Sequence, residues 1–210
     1  TEIENDGNHD NIIVSEIPYN VNKSELIKKI ADSVMQPYQL TKLRNLVIST
    51  GENISMPTVK DYLEYMESAY LIFSISNFAS LFSDQETIKK RYFYDNGLLN
   101  IFLYQGETKL LENLVAIYLK TKYKGDEPQV YFYNKNIEVD FVVPSEGTAI
   151  QVSYNISDPD TREREVKALV RFNQFMELKK AIIVTYNQEE TIQIDGLLIE
   201  VVPIWKFVLR

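Results

Sequence analysis

The 210-residue sequence has no cysteine and a single histidine. Without thiols there is no disulfide, no thiolate nucleophile and no Cys-ligated metal, a usage that suits the cytoplasm. His9 lies in the polar opening stretch TEIENDGNHD, so Ser-His catalysis and histidine-rich metal sites are set aside. Glycine is scarce, at seven residues, and none precedes a lysine, so the GxxxxGK loop that cradles nucleotide phosphates is absent. The longest apolar runs (AIIVTY, LIFSI, LLIEVV) fall far short of the ~18 residues that cross a bilayer, so no membrane partner is expected. A strong positive field is missing too. The net charge is −8, and residues 1–16, with five acids and no Lys or Arg, account for −5 of it. The remainder is nearly balanced and has no basic stripe of the kind that nucleic-acid binders display.

What remains is a composition able to bury a core, 45% hydrophobic and 12% aromatic. Residues 1–20 read as a flexible arm or linker. Asn22 with Glu25 three residues later opens a helix carrying Leu26, Ile27, Ile30 and Val34. A second helix is expected over roughly 38–49, with Leu40, Leu43 and Val47 on one stripe. Ser55 caps a third, with Pro57 in its first turn and Val59, Leu63, Met66 and Tyr70 in line beside Tyr62. LIFSI (71–75) and KKRYFYD (89–95) then read as a hairpin, and helices followed by a hairpin are the order of a winged helix.

Near residue 100 the period changes. Lys109–Tyr123 is an amphipathic helix with Leu111, Leu114, Val115 and Tyr118 inward. Strands are expected at 129–134, 137–143 and 148–154, a helix at 161–177, and strands at 181–186 and 197–202. VPIWKFVLR closes as a short helix covering the sheet through Trp205. The expected organisation is a winged-helix-like module over 21–100 and a mixed β-sheet flanked by helices over 101–210, with the boundary between Asp95 and Lys109.

The segments TVKDYLEYMESAYLIFSI, RYFYDNGLLN, LLENLVAIYL, YFYNKNIEVDFVV and AIQVSYN, in that order, resemble the C-terminal region of a family of prokaryotic AAA-type ATPases. In that family a nucleotide-binding domain precedes a winged helix and a domain named DUF4143, which is similar to the PD-(D/E)XK nuclease fold. The resemblance implies that the ATPase domain lies outside this chain, in keeping with its opening on Thr1, and that ATP is expected only there. It also implies a restriction-endonuclease-like sheet over 101–210. Its motif carries over to Glu112 in LLENLV and Asp140 in EVDFVV, both also the candidate metal ligands. Its closing E-x-K falls on Gln151-Val152-Ser153, where both functional positions differ.

Metal-assisted phosphodiester hydrolysis needs oxygen ligands at near-octahedral geometry and a positive group near the phosphate. Gln151 offers a neutral amide and Ser153 no charge. A Mg2+ ion is compatible with Glu112 and Asp140 but not expected. The nearest cations in sequence are Lys135, Arg164 and Lys167. On residues alone, Glu138 and Asp140 also read as one solvated strand face, Tyr131, Phe132 and Tyr133 as packing, and TREREVK (161–167) as a solvated helical turn. The helix over 57–70 exposes Lys60, Asp61, Glu64 and Glu67, so any nucleic-acid contact falls to Lys89, Lys90 and Arg91. The expected function is therefore a non-catalytic regulatory or interaction region of an ATPase. Its partners would be its own ATPase domain and a protein or a nucleic acid. The alternative is a metal-dependent endonuclease with a migrated active site.

Overall fold

A computed structural model describes residues 2–5, 10–13, 28–29, 33, 35–49, 54–78, 88–103, 106–125 and 127–209. Within the stretch read as a flexible arm, β1 (Glu2–Asn5) and β2 (Asp10–Ile13) pair antiparallel, with Ile3 opposite Ile12. The helix expected from Asn22 lies outside the described residues except for Lys28, Lys29 and Ser33, which are helical.

Next come β3 (Tyr38–Gln39), α1 (Leu40–Ile48), α2 (Met56–Ser68), β4 (Ile72–Ser76) and β5 (Ile88–Phe93). The first residues of the expected second helix are thus a short strand, which pairs with β5 in a three-stranded sheet of order β3-β5-β4. α2 begins as its sequence requires: the Ser55 hydroxyl accepts from the Thr58 N–H, and Pro57 sits where a missing N–H costs nothing. Its buried stripe is Val59, Tyr62, Leu63 and Met66. Tyr70 leaves that stripe, since the chain turns there with φ of 53° and exposes the ring.

The second half runs α3 (Asn96–Phe102), α4 (Glu107–Lys122), β6 (Tyr131–Asn134), β7 (Glu138–Val143), β8 (Thr148–Val152), α5 (Pro159–Phe175), β9 (Lys180–Thr185), β10 (Glu190–Ile194), β11 (Leu197–Pro203) and α6 (Ile204–Phe207). Six strands form a mixed sheet of order β10-β11-β9-β8-β7-β6, parallel at β8–β9 and β9–β11 and antiparallel elsewhere. The periodicity did not indicate β10, a short edge strand whose inward face reaches the core only through the half-buried Ile192. α3 was missed for its brevity, although Asp95 caps it by accepting from the Gly97 and Leu98 N–H groups. The β7–β8 turn does need its glycine: Gly147 has φ of 59°, and a Cβ there would lie 3.1 Å from Lys179 Cγ.

Alternation along the strands splits the core. Ile182 and Val184 face one cluster, while Ala181 and Ile183 face the other, which α5 covers through Val166, Leu169 and Phe172. The first cluster runs without a break from Met35, Leu43 and Leu63 through Phe93 and Leu119 to Phe141, Val202 and Phe207. Packing therefore does not stop between Asp95 and Lys109, where the period changes. α4 contributes Leu111, Val115, Ala116 and Leu119, whereas Leu114 is exposed, because the buried face is centred one step round the helix from the expected one. At the C-terminal end Trp205, expected to cover the sheet, is 59% exposed, and Phe207 enters the core instead. α6 turns Phe207 toward Tyr118, with ring centroids 5.2 Å apart.

Two amides join the halves. The Asn77 side chain accepts from the Asn134 N–H and donates to its carbonyl, both at 3.0 Å, next to a parallel bridge between Asn77 and Phe132. Asn113, fully buried on α4, accepts from the Phe93 N–H at 2.8 Å and donates to the Phe93 carbonyl at 2.9 Å. These clamps set β5 against α4, with the β4 end tied to β6.

Candidate functional site

The site is built around an irregularity in β7. Tyr133 pairs with Val139, but Tyr131 pairs with Val142, so β7 has one more residue than β6 over the same span. Asp140 and Phe141 together oppose Phe132, a β-bulge, and such bulges re-aim side chains. Val139 and Val142 pack on the α5 side and Phe141 on the other.

Gln151 repairs the ladder beside the bulge. Its Oε1 accepts from the Asp140 N–H at 2.8 Å, and its Nε2 donates to the Glu138 carbonyl at 3.2 Å and to Glu165 Oε2 at 2.9 Å. The amide stands in for a peptide group, a job that needs a donor and an acceptor on one side chain. The Val152 N–H donates to Asp140 Oδ2 at 2.9 Å, which fixes the orientation of that carboxylate.

Lys90 enters from β5. It is 1% exposed, and its Nζ lies 2.8 Å from Glu138 Oε1, 3.1 Å from Asp140 Oδ1 and 3.4 Å from Glu112 Oε1. The Tyr92 hydroxyl donates to Glu112 Oε1 at 2.9 Å, and the Phe132 ring lies 5.6 Å from the ammonium. Strand alternation puts Lys90 and Tyr92 on one face of β5. From α5, Glu165 reaches Gln151, and Arg164 Nη2 donates to Glu165 Oε1 at 2.6 Å. The groups line a cleft of about 520 Å³, with Gln36, Thr108, Lys167 and Arg171 also at its walls.

Burial governs the charges. It pushes the Glu112 carboxyl up to about 8, against the pull of Lys90. Burial alone would lower Lys90, but Glu112, Tyr92, Asp140 and Glu138 overcome it and hold the ammonium well above its ordinary value. The Glu165 carboxyl is raised by burial, with the Arg164 hydrogen bond opposing.

Of the motif residues, Glu112, Asp140 and Gln151 come together and Ser153 does not. Ser153 is buried at the end of β8, where its hydroxyl donates to the Asn155 carbonyl at 3.2 Å. Lys89, Lys90 and Arg91 do not form one basic surface. Lys89 is half-buried, Lys90 faces the acids, and Arg91 is 8% exposed on the opposite face of the strand. Consecutive residues of a strand alternate sides, and this strand is covered on both. Sequence reasoning missed Glu165, Tyr92 and the inward course of Lys90. Glu165 did leave a signal: it holds a place on the stripe of Leu169 and Phe172, where an acid must have a partner.

The acids do not fit a metal ion as they stand. Among the described residues no group of three acidic side chains is arranged to hold one, and the Lys90 ammonium lies among Glu112, Glu138 and Asp140. Nor, among the described residues, is any helix long and apolar enough to cross a membrane.

Comparison with known proteins divides the chain at the start of α4. Residues 16–109 match a family model described as a domain of unknown function, DUF8612. An uncharacterized protein of Methanocaldococcus jannaschii is 36% identical over 180 residues, which cover 81% of this chain and 40% of that protein. The chain thus spans about two-fifths of the length of this curated relative. No solved structure matches significantly. The acids Glu112, Asp140 and Glu165 belong to the segment 107–207, which matches the family model described as a domain of unknown function, DUF4143.

Proposed function

We propose that this chain is a non-catalytic interaction region of an AAA-type ATPase, a winged-helix-like module followed by a nuclease-like domain whose acid cluster is neutralised by the protein itself. The observation that carries this is Lys90: a buried ammonium bonded to Glu112, Glu138 and Asp140 makes an ion-pair tie between the two family segments. Removing one partner of a buried pair strands the others, so a cluster of this kind links the positions of β5, α4 and β7 tightly. Any partner that moves one segment is felt in the other. The motif order supports the ATPase association, and the sequence α4, β6–β8, α5, β9 supports the nuclease-like scaffold. The partners of this reading are the ATPase domain and a protein or a nucleic acid.

A second reading, a metal-dependent endonuclease with migrated groups, is favoured by one observation. Lys90 and Glu165 bring into the cleft the lysine and the acid that positions 153 and 151 lack. Single-stranded, duplex and branched DNA incubated with Mg2+ or Mn2+ separates the two. The expected result is no cleavage; cutting that Asp140→Ala abolishes establishes the second reading instead.

A further inference from the structure

The two edges of the six-stranded sheet are treated differently. β6 is closed from outside: the Phe78 N–H donates to the Phe132 carbonyl, and Asn77 bridges to Phe132 and bonds Asn134 through both ends of its amide. Among the described residues no strand lies beyond β10. Open edges in natural sheets are blunted by lysine, proline or a bulge. β10 has none of these: ETIQI carries neither Lys nor Pro, and its register with β11 runs unbroken from Glu190 to Ile194.

The hairpin fixes which backbone groups face out. Asp195 and Gly196 form a two-residue turn with φ of 47° and 79°, so Ile194 and Leu197 are its hydrogen-bonded closing pair. Alternation then turns the N–H and C=O of Glu190, Ile192 and Ile194 toward β11 and those of Thr191 and Gln193 away from the sheet. We infer that β10 is a dimerisation edge: two copies of this chain pair β10 with β10, antiparallel about a two-fold axis at Ile192, and join their sheets into one. In this register Thr191 of each copy exchanges both bonds with Gln193 of the other, so every outward group of the strand is paired. An axis at Thr191 or Gln193 would instead set one of these residues against Glu189 or the Asp195 turn, outside the strand.

The side chains agree with that axis. Ile192 packs on the second core cluster, and Glu190 and Ile194 share its face. At the axis the two Ile192 side chains meet with an Ile194, 37% exposed in the single chain, on either side, which carries the cluster across the join. The acids at the head of the strand are already matched within the chain, Glu190 by Arg162 and Glu189 by Lys206. Donors, acceptors and apolar side chains thus match themselves under a two-fold, the symmetry of most homodimers, which commits the edge to a second copy. The inference is independent of the reading of the cleft, which opens beside β7 and β8.

A join of one short strand per copy is small, so the dimer is expected to dissociate at ~10–100 µM. Sedimentation velocity of the whole chain from ~5 to ~500 µM, a span that brackets that range, reads the mass. Thr191→Pro removes one outward N–H and leaves the β10–β11 ladder whole, and is expected to weaken association at least about tenfold. Because the chain has no cysteine, an introduced thiol can bridge only to another copy. Ile192→Cys puts the paired Cα atoms about 4.5 Å apart, within disulfide reach, and is expected to give a covalent dimer on mild oxidation. Leu198→Cys, exposed but one strand further in, is not. A native chain that stays monomeric at ~500 µM overturns the inference and leaves the edge to a strand of another protein. Unchanged association of a folded Thr191→Pro overturns it too, as does cross-linking at Leu198→Cys that equals or exceeds that at Ile192→Cys. If Thr191→Pro fails to fold, amide exchange in the native chain decides: slowing at Thr191 and Gln193 as concentration rises supports the pairing, and rates independent of concentration overturn it.

Discussion

Replacing Lys90 by methionine removes the ammonium while keeping most of the side chain's apolar length. Lys90 is 1% exposed, and the partner side chains Glu112, Asp140 and Glu138 are 11%, 14% and 43% exposed. Glu138 is solvated enough that its share is at most ~1 kcal/mol, so the cost falls on Glu112 and Asp140. Breaking a buried pair destabilises by roughly 3–5 kcal/mol when the remaining charge cannot escape. Here part of it can. With its carboxyl at about 8 even beside Lys90, Glu112 already carries its proton at pH 6, so its charge is not stranded there and the loss shrinks to ~1–2 kcal/mol. At pH 9 that refuge is smaller and the full ~3–5 kcal/mol is expected. Urea unfolding at both pH values, with an unchanged m, reads the difference directly. In thermal unfolding the pH 9 loss amounts to about 6–20 °C for a chain of this size. Equal losses at pH 6 and pH 9, or a loss below ~0.5 kcal/mol at pH 9, would refute the electrostatic account of the cluster.

Glu112→Gln isolates the carboxyl's own titration. A folded-state value of about 8 against 4.5 means that the folded chain keeps a proton the unfolded chain releases, so stability is full below 4.5 and is lost as pH rises through 8. The native curve should fall by about 1.4 kcal/mol per pH unit across that window, and the amide variant should be flatter there; an identical slope counts against the assignment. Gln151→Glu should cost ~1–3 kcal/mol, because a carboxylate cannot donate to the Glu138 carbonyl or to Glu165 and repels both; unchanged urea midpoints would show that the amide is not holding the bulge. Asn113→Ala leaves the Phe93 N–H and carbonyl without their partners, for an expected ~2–4 kcal/mol and faster amide hydrogen exchange at Phe93. Native-like protection at Phe93 would contradict the clamp.

By itself the sequence settled what depends on local pattern. The Ser55 cap and Pro57 wrote the start of α2, the β-branched run at 181–185 wrote a strand covered on both faces, and the Pro–Gly turn wrote the β7–β8 hairpin. The spacing of EVDFVV and AIQVS also put Asp140 and Gln151 on neighbouring strands, where they meet. Tertiary structure decided everything that depends on what covers a face. KKRYFY alternates correctly for a strand, but nothing local says that the side holding Lys90 will be roofed by α4 and β7, 22 and 50 residues away. The bulge in β7 has no residue signature, since it arises from pairing with β6, and it is the bulge that sets Asp140 against Lys90. Charge on a strand reads as solvent exposure until the partner acids are in place. A buried ammonium is stable only in that assembled company, so its role became visible with the fold and not before.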